Sequence, residues 1–437
     1  VHSRVQKRKP MRPAEKPVFH ADRTPFGDLD KDVVETLRQL DGARVKDEHN
    51  NVQFCGLVHG PDIGSHMFLP RTAMCTGNED ENLEIAKLTM KALARYGAET
   101  SKKEFEDLGE KSNAGALAII RRLTDDFREN GLFSERMRLQ TRNSGKPDWM
   151  RTLKREFAVP NSKKQPVFAN IRTSRQVRSN DALLTQIQAA VLREILKQHG
   201  WWLPGGFSAK SQLVTCPDPP FRRSVWARKL DALLPTLYSS RSIRLARYLH
   251  DYLKEKNNSS KGTMIFGVWD FYNVWEAVLR ETIVRSPHDK RSDWNSLFPK
   301  PYYILKKGRE GLARSGMQTD IILEDDTSDF TIVDAKYYAA TSAETAPGWP
   351  DIGKQMAYET ALTEAFARDN GSKPNIRNVF AFPGNSGDGP LERVEMHFTK
   401  GTSTLSTAFS TIDCVYISVK DALDFYVRRT QGISVDT

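Results

Sequence analysis

A chain of 437 residues, 39% hydrophobic and 27% charged, is too long for one ordinary core and calls for several domains. No apolar run reaches the roughly 18–20 residues needed to cross a bilayer, and the start, "VHSRVQKRKPMRPAEKP", is basic and polar, so the expectation is a cytoplasmic protein with no membrane attachment. Cys55, Cys75, Cys216 and Cys414 form no CxxC pair, which removes a zinc ribbon and a disulfide framework, while the net charge of +10 favours a polyanion as partner.

Residues 1–30 carry Arg4, Lys7, Arg8, Lys9, Arg12 and Lys16, broken by Pro10, Pro13 and Pro17, and read as a basic flexible arm. Residues 31–79 hold an amphipathic helix, "KDVVETLRQL", and two strand-like runs, "VQFCGLVHG" and "SHMFLPR", a small α+β unit. From 80 to 175 two helical segments end at Gly97 and Gly131, and "LFSERMRLQTRNSGKP" then reads as a basic hairpin. Two helices and a hairpin predict a winged-helix-like module that contacts DNA or a partner.

Residues 176–258 read as a helical domain. Arg241, Arg244 and Arg247 repeat on one side of its last helix, and Arg222 and Arg223 lie upstream. Such a run is most often a solvated face; as phosphate ligands these five are the candidates for DNA contact. The stretch "KNNSSKG" supplies the loop before the last domain, 259–437.

That domain carries the chemistry. In "VWDFYNVWEAVLRETI" a helical stripe of Phe271, Val274, Trp275, Val278 and Leu279 leaves Glu276 at its edge, facing a cleft or pairing with Arg280. The stretch "GMQTDIILEDDTSDFTIVDAKYY" is a hairpin with Asp320 at the start of one arm and Asp334 and Lys336 at the end of the other. Alternation puts Asp334 and Lys336 on one face, continuing the apolar row of Phe330 and Ile332. Charges there are costly unless they bind something. Two or three carboxylates suit a hard cation such as Mg²⁺, and a lysine beside them suits the charge of a phosphoryl transition state. The helix "DIGKQMAYETALTEAFARD" then offers Gln355 and Tyr358.

Helix with Glu, strand, strand with Asp, strand with Asp-x-Lys and helix with Gln is the order of the PD-(D/E)XK nuclease core. The predicted fold is therefore multidomain α+β, with a C-terminal mixed sheet flanked by helices, a helical middle region and a mixed N-terminal region. Across 65–420, "HMFLPR", "GKPDWMRTLKRE", "PVFANIRTSR", "VWDFYNVWEAVLRE" and the hairpin resemble the LlaJI family of restriction endonucleases, related to the McrC nuclease subunits. The resemblance implies a Mg²⁺-dependent endonuclease cutting double-stranded DNA in antiphage defence, beside an McrB-like AAA+ GTPase. By position it implies Asp320 and Asp334 as metal ligands and Lys336 as the catalytic lysine, with Glu276 as a further ligand and Gln355 as a flanking catalytic residue. Thr319 stands where the motif's name has Pro, and there is no GxxxxGK[ST] loop, so any NTP-driven motion belongs to another subunit. One site per chain implies a homodimer, or two complexes meeting, on DNA for a double-strand cut. The alternative is a DNA-binding or assembly subunit with a non-cutting nuclease fold.

Overall fold

The computed structural model describes residues 17–40, 50–60, 62–103, 114–179, 182–203, 211–258, 264–284, 291–305, 308–312, 316–325, 329–385, 389–400, 403–406 and 409–435. The chain divides into a larger unit, Glu15–Ala118 with Lys261–Thr437, and a smaller one containing Ile119–Ser260.

The larger unit begins with β1 (Val18–Ala21), followed by α1 (Lys31–Leu40), β2 (Cys55–Gly60), β3 (Gly64–Leu69) and α2 (Glu79–Lys103). Residues 1–16 of the expected basic arm lie outside the described residues, and 17–30 do not form an arm. Strand β1 pairs in parallel with β3, from Val18 opposite His66 to Ala21 opposite Leu69, and Phe26 and Leu29 are buried. Four residues show no periodicity of their own, so this strand depends on a partner nearly fifty positions away. Val33, Val34 and Leu37 of α1 pack on Val58 of β2 and Phe68 of β3, the apolar stripe of an amphipathic helix on one sheet face. Helix α2 runs straight through Gly97. The cost of a mid-helix glycine, about 1 kcal/mol, is offset by Arg95, whose buried guanidinium bonds Glu281 and the Tyr426 carbonyl and lies 4.0 Å from the Tyr426 ring centroid.

The smaller unit opens inside α3 (Ala114–Asn130), which does stop at Gly131, where φ is 70° and the N–H donates to Phe127 O at 2.8 Å. Then come β4 (Glu135–Arg142), β5 (Lys146–Pro147), α4 (Trp149–Arg155), β6 (Ala158–Pro160), β7 (Pro166–Phe168) and β8 (Arg172–Ser179). The hairpin anticipated between β4 and β5 is not made. Both strands pair antiparallel with β8, which takes the centre of a three-stranded sheet. "NSGKP" therefore carries the chain across β8 instead of folding β4 back on itself, and the winged-helix order of helix, helix, hairpin is lost. Helices α5 (Leu183–His199), α6 (Ser211–Thr215), α7 (Trp226–Leu233) and α8 (Ser240–Asn258) make up the expected helical region.

The chain then returns to the larger unit. Strand β9 (Met264–Val268) pairs antiparallel with β2 and completes the order β1-β3-β2-β9. Helix α9 (Phe271–Thr282) follows, then α10 (Arg291–Leu297), β10 (Tyr302–Leu305), β11 (Gly308–Leu312), β12 (Ile321–Glu324), β13 (Phe330–Ala335), α11 (Trp349–Asn370), β14 (Ile376–Pro383), β15 (Arg393–Val394), β16 (His397–Lys400), β17 (Ser403–Ser406), β18 (Ile412–Ile417) and α12 (Val419–Arg428). Five of these strands form a mixed sheet ordered β12-β13-β14-β18-β15, antiparallel at both edges and parallel in the middle. The strand expected before Asp320 does not join it: β10 pairs with β11 in a separate hairpin. Tyr358, Leu362 and Phe366 of α11 pack with Ile322, Phe330 and Ile332 on one face. Phe271 and Trp275 of α9 meet Tyr337, which points the other way from its neighbour Lys336.

Candidate active site

The β12–β13 register, Ile321 opposite Val333, places Asp320 opposite Asp334 one step further on. Asp320 is fixed from two sides. Its Oδ2 accepts the Ala335 N–H at 3.0 Å. The preceding Thr319 is clamped by Asn295 of α10, whose Oδ1 accepts from the Thr319 N–H at 3.1 Å and from its hydroxyl at 3.0 Å. The two bonds hold the backbone directly before Asp320.

Asp334 is 5% exposed and faces Asp320 across the two strands. Burial pushes its carboxyl up to about 7, with the Asp320 charge adding to the shift and Lys336 opposing it. Lys336 Nζ lies 3.0 Å from Asp334 Oδ2 and donates to Asp351 Oδ1 at 2.7 Å. Burial works against its charge, but Asp334 and Asp351 outweigh that and hold the ammonium above its ordinary value. At neutral pH Lys336 is a fixed positive charge, suited to stabilising negative charge and not to removing protons.

Of the other predicted residues, Glu276 is half-buried on α9, raised by burial and by Asp334, and lowered by Arg280 and Lys336. Its carboxyl lies in the field of the cluster and of its i+4 arginine together. Gln355 stands apart: fully buried, its Nε2 donates to Ile332 O at 3.0 Å and to Asn378 Oδ1 at 3.2 Å. It braces β13 against β14 beneath the acids. Tyr358, one turn on, turns toward the site instead and donates to Gln318 O at 2.7 Å. In the smaller unit Arg241 is bound to Asp126 and to Gly131 O, and Arg223 to Glu194, while Arg222, Arg244 and Arg247 face solvent.

Three participants had no role in the sequence reading. Asp351, in the first turn of α11, anchors Lys336; Tyr338 donates to the other Asp351 oxygen at 3.3 Å. Lys354 stands over the Tyr358 ring and feels the Asp334 charge. It also lines, with Lys300, Gln318 and Tyr358, an open cavity of about 660 Å³. An acid in the first turn was the available signal, since carboxylates favour that end of a helix for general reasons that hide a specific one.

Among the described residues no group of three or more His, Cys, Asp or Glu is arranged to hold a metal ion. Two facing carboxylates do meet the need of Mg²⁺, which takes one or two protein carboxylates and fills its other positions with water and substrate phosphate. Asp320 and Asp334 therefore fit the ion as a pair, with Glu276 beside them.

A model of the LlaJI restriction endonucleases matches residues 54–420. The chain belongs to that family. A LlaJI restriction endonuclease acts on DNA and cuts it, and the match reaches into both units and includes every candidate site residue named above. No curated protein matches the chain.

Proposed function

We propose that the chain is a Mg²⁺-dependent endonuclease of double-stranded DNA with a PD-(D/E)XK-type centre of Asp320, Asp334 and Lys336, acting in bacterial defence beside an McrB-like AAA+ GTPase. The observation that carries the reading is the acid pair facing across β12 and β13 with the buried, charged Lys336 against it. Asp320 and Asp334 would hold the metal and Lys336 would face the phosphoryl oxygens, with Asp351 and Tyr338 fixing its position. Glu276 would complete the acid side of the site, and Gln355 would keep β13 in register under it. Bound there, Mg²⁺ supplies the positive charge that stabilises the transition state and eases deprotonation of water.

The test is cleavage of plasmid DNA in Mg²⁺ by wild type and by Asp334→Ala of equal thermal stability, with methylated and unmethylated DNA, with and without the GTPase and GTP. Wild type is expected to cut and the variant to lose at least about 10³-fold in rate. DNA bound by both proteins and cut by neither, under every combination, would replace this reading with that of a non-cutting assembly subunit. The lack of a three-ligand group among the described residues is the one observation that favours that second reading.

A further inference from the structure

The segment "HMFLPR" belongs to β3 and its exit, and the site described so far leaves it without a task. Because β1 and β3 run parallel, both finish at the same end of their sheet. Asp22 and Arg23 leave β1 there, Arg71 and Thr72 leave β3, and the Asp22 N–H donates to Leu69 O at 2.7 Å. The Arg71 N–H donates to the Tyr337 hydroxyl at 2.6 Å, and its guanidinium Nη1 to the Tyr337 carbonyl at 3.4 Å. Tyr337 immediately follows Lys336, and the next residue, Tyr338, holds Asp351, the anchor of Lys336. Arg71 also feels the Tyr338 side chain, which is 36% exposed. The guanidinium therefore stands at the rim of the acid–lysine cluster.

Three features of this corner are costly to the fold. Arg23 and Thr72 both adopt left-handed backbone, at φ 69° and 61°, where residues with a Cβ are disfavoured. Arg23 and Arg71 are close enough to repel, and burial and Arg23 together hold the Arg71 guanidinium below its ordinary value. Two buried polar atoms, Asp22 Oδ1 and Arg23 Nε, have no hydrogen-bond partner among the described residues. Strain, like charges and an orphaned guanidinium N–H gathered at one spot mark a place where an absent acceptor completes the structure. Two guanidiniums select an anion whose oxygen acceptors match their donors, and Asp22 beside them, whose neutral form burial favours, opposes that anion less than an ordinary carboxylate would.

We propose that Arg71 and Arg23 form a phosphate clamp at the rim of the active site that grips the DNA backbone beside the cleaved bond. This rests on the nuclease reading, since it is the acid–lysine cluster that makes a DNA phosphate the anion at hand.

The experiment measures binding of a fluorescent duplex to the full chain in EDTA, where no metal-dependent cutting occurs, across a salt series. Wild type is compared with Arg71→Gln, Arg23→Gln, the double variant, Arg71→Lys, and Arg393→Gln at the far edge of the nuclease sheet. Each clamp substitution is expected to lower the slope of log affinity against log salt by about one unit. Arg71→Lys should retain the slope, and Arg393→Gln should leave it unchanged. In Mg²⁺ the clamp variants should raise KM more than they lower kcat. Slopes unchanged in Arg23→Gln and Arg71→Gln, or a loss as large in Arg393→Gln, would overturn the clamp. Were Arg71→Gln to misfold, Arg23→Gln, which removes no hydrogen bond among the described residues, decides alone. Wild type that binds with a clamp-dependent slope but cuts nothing would remove the nuclease reading and leave the clamp. Cutting unaffected by the clamp variants would do the reverse.

Discussion

Lys336 and Asp351 are joined by a 2.7 Å charge-assisted hydrogen bond inside a water-poor corner, so the lysine's aim is set by a residue that need not touch DNA. Asp351→Asn removes that charge and is expected to lower the cleavage rate about 10- to 100-fold, as is usual for a residue that orients a catalytic one; Asp351→Glu should recover part of it. An unchanged rate in Asp351→Asn would show that Asp334 alone positions the lysine. Asp22 makes a separate prediction about stability. Burial raises its carboxyl to about 7, against the opposing pull of Arg23, Arg71 and the Tyr337 hydroxyl, with the Cys55 thiol also in its field. A folded-state value above the unfolded one, about 3.9, means that the native state holds the proton more tightly. Its stabilising effect is full below about pH 4 and is lost as the pH rises through 7. Urea unfolding of wild type and Asp22→Asn at pH 4.5, 6 and 7.5 reads this directly: the gap between them should shift in the variant's favour with rising pH, and a constant gap would contradict the buried proton. Asp320, Asp334 and Lys336 are legible in the sequence because strand alternation is a local rule and two acids and a lysine on one hairpin stand out against it. Asp351, Asp22 and Arg71 are not, because what they do depends on which distant segment docks against β13.

At the scale of elements, β12, β13, α11, β14 and β18 are readable for the same reason, each having an apolar pattern long enough to declare itself. Strand β9 is not. "MIFGV" runs straight into the helical stripe of α9, and five apolar residues fit strand or helix equally well. What decides is its pairing with β2, where Gly56 sits opposite Gly267. At φ 143°, Gly56 uses backbone that disfavours a side chain, and a Cβ there would run into the Phe266 carbonyl and the Gly267 Cα. A Cβ on Gly267 would strike the Cys55 carbonyl and the Phe54 ring. Gly56→Ala and Gly267→Ala are each expected to destabilise by roughly 2–5 kcal/mol, seen as a lower urea midpoint. A change below about 0.5 kcal/mol, the size of an ordinary surface substitution, would mean that the two strands do not approach so closely. The hairpin lost between β4 and β5 has the same lesson in reverse: a good local turn signal yields to β8, which offers β4 eight paired residues.

For the whole molecule, the proposed double-strand cut, made by chains with one acid–lysine cluster among their described residues, would take two chains at each break. The rate of nicking should rise in proportion to protein concentration and the rate of full breakage more steeply, toward its square. Equal dependence, measured on supercoiled plasmid, would point to one chain acting twice. The organisation of the larger unit also constrains how the protein is made. Strand β2 ends at Gly60 and its partner β9 starts at Met264, so roughly 200 residues must be synthesised between them. At typical elongation rates that is a wait of about 10–40 s. During it the first sheet has an unfilled edge, and the smaller unit has time to fold ahead of it. Both acids and the lysine follow still later, and β18 and α12 after those. A nascent chain that stops before β13 contains neither Asp334 nor Lys336, so such a fragment carries no acid–lysine cluster whatever else of the larger unit has been made.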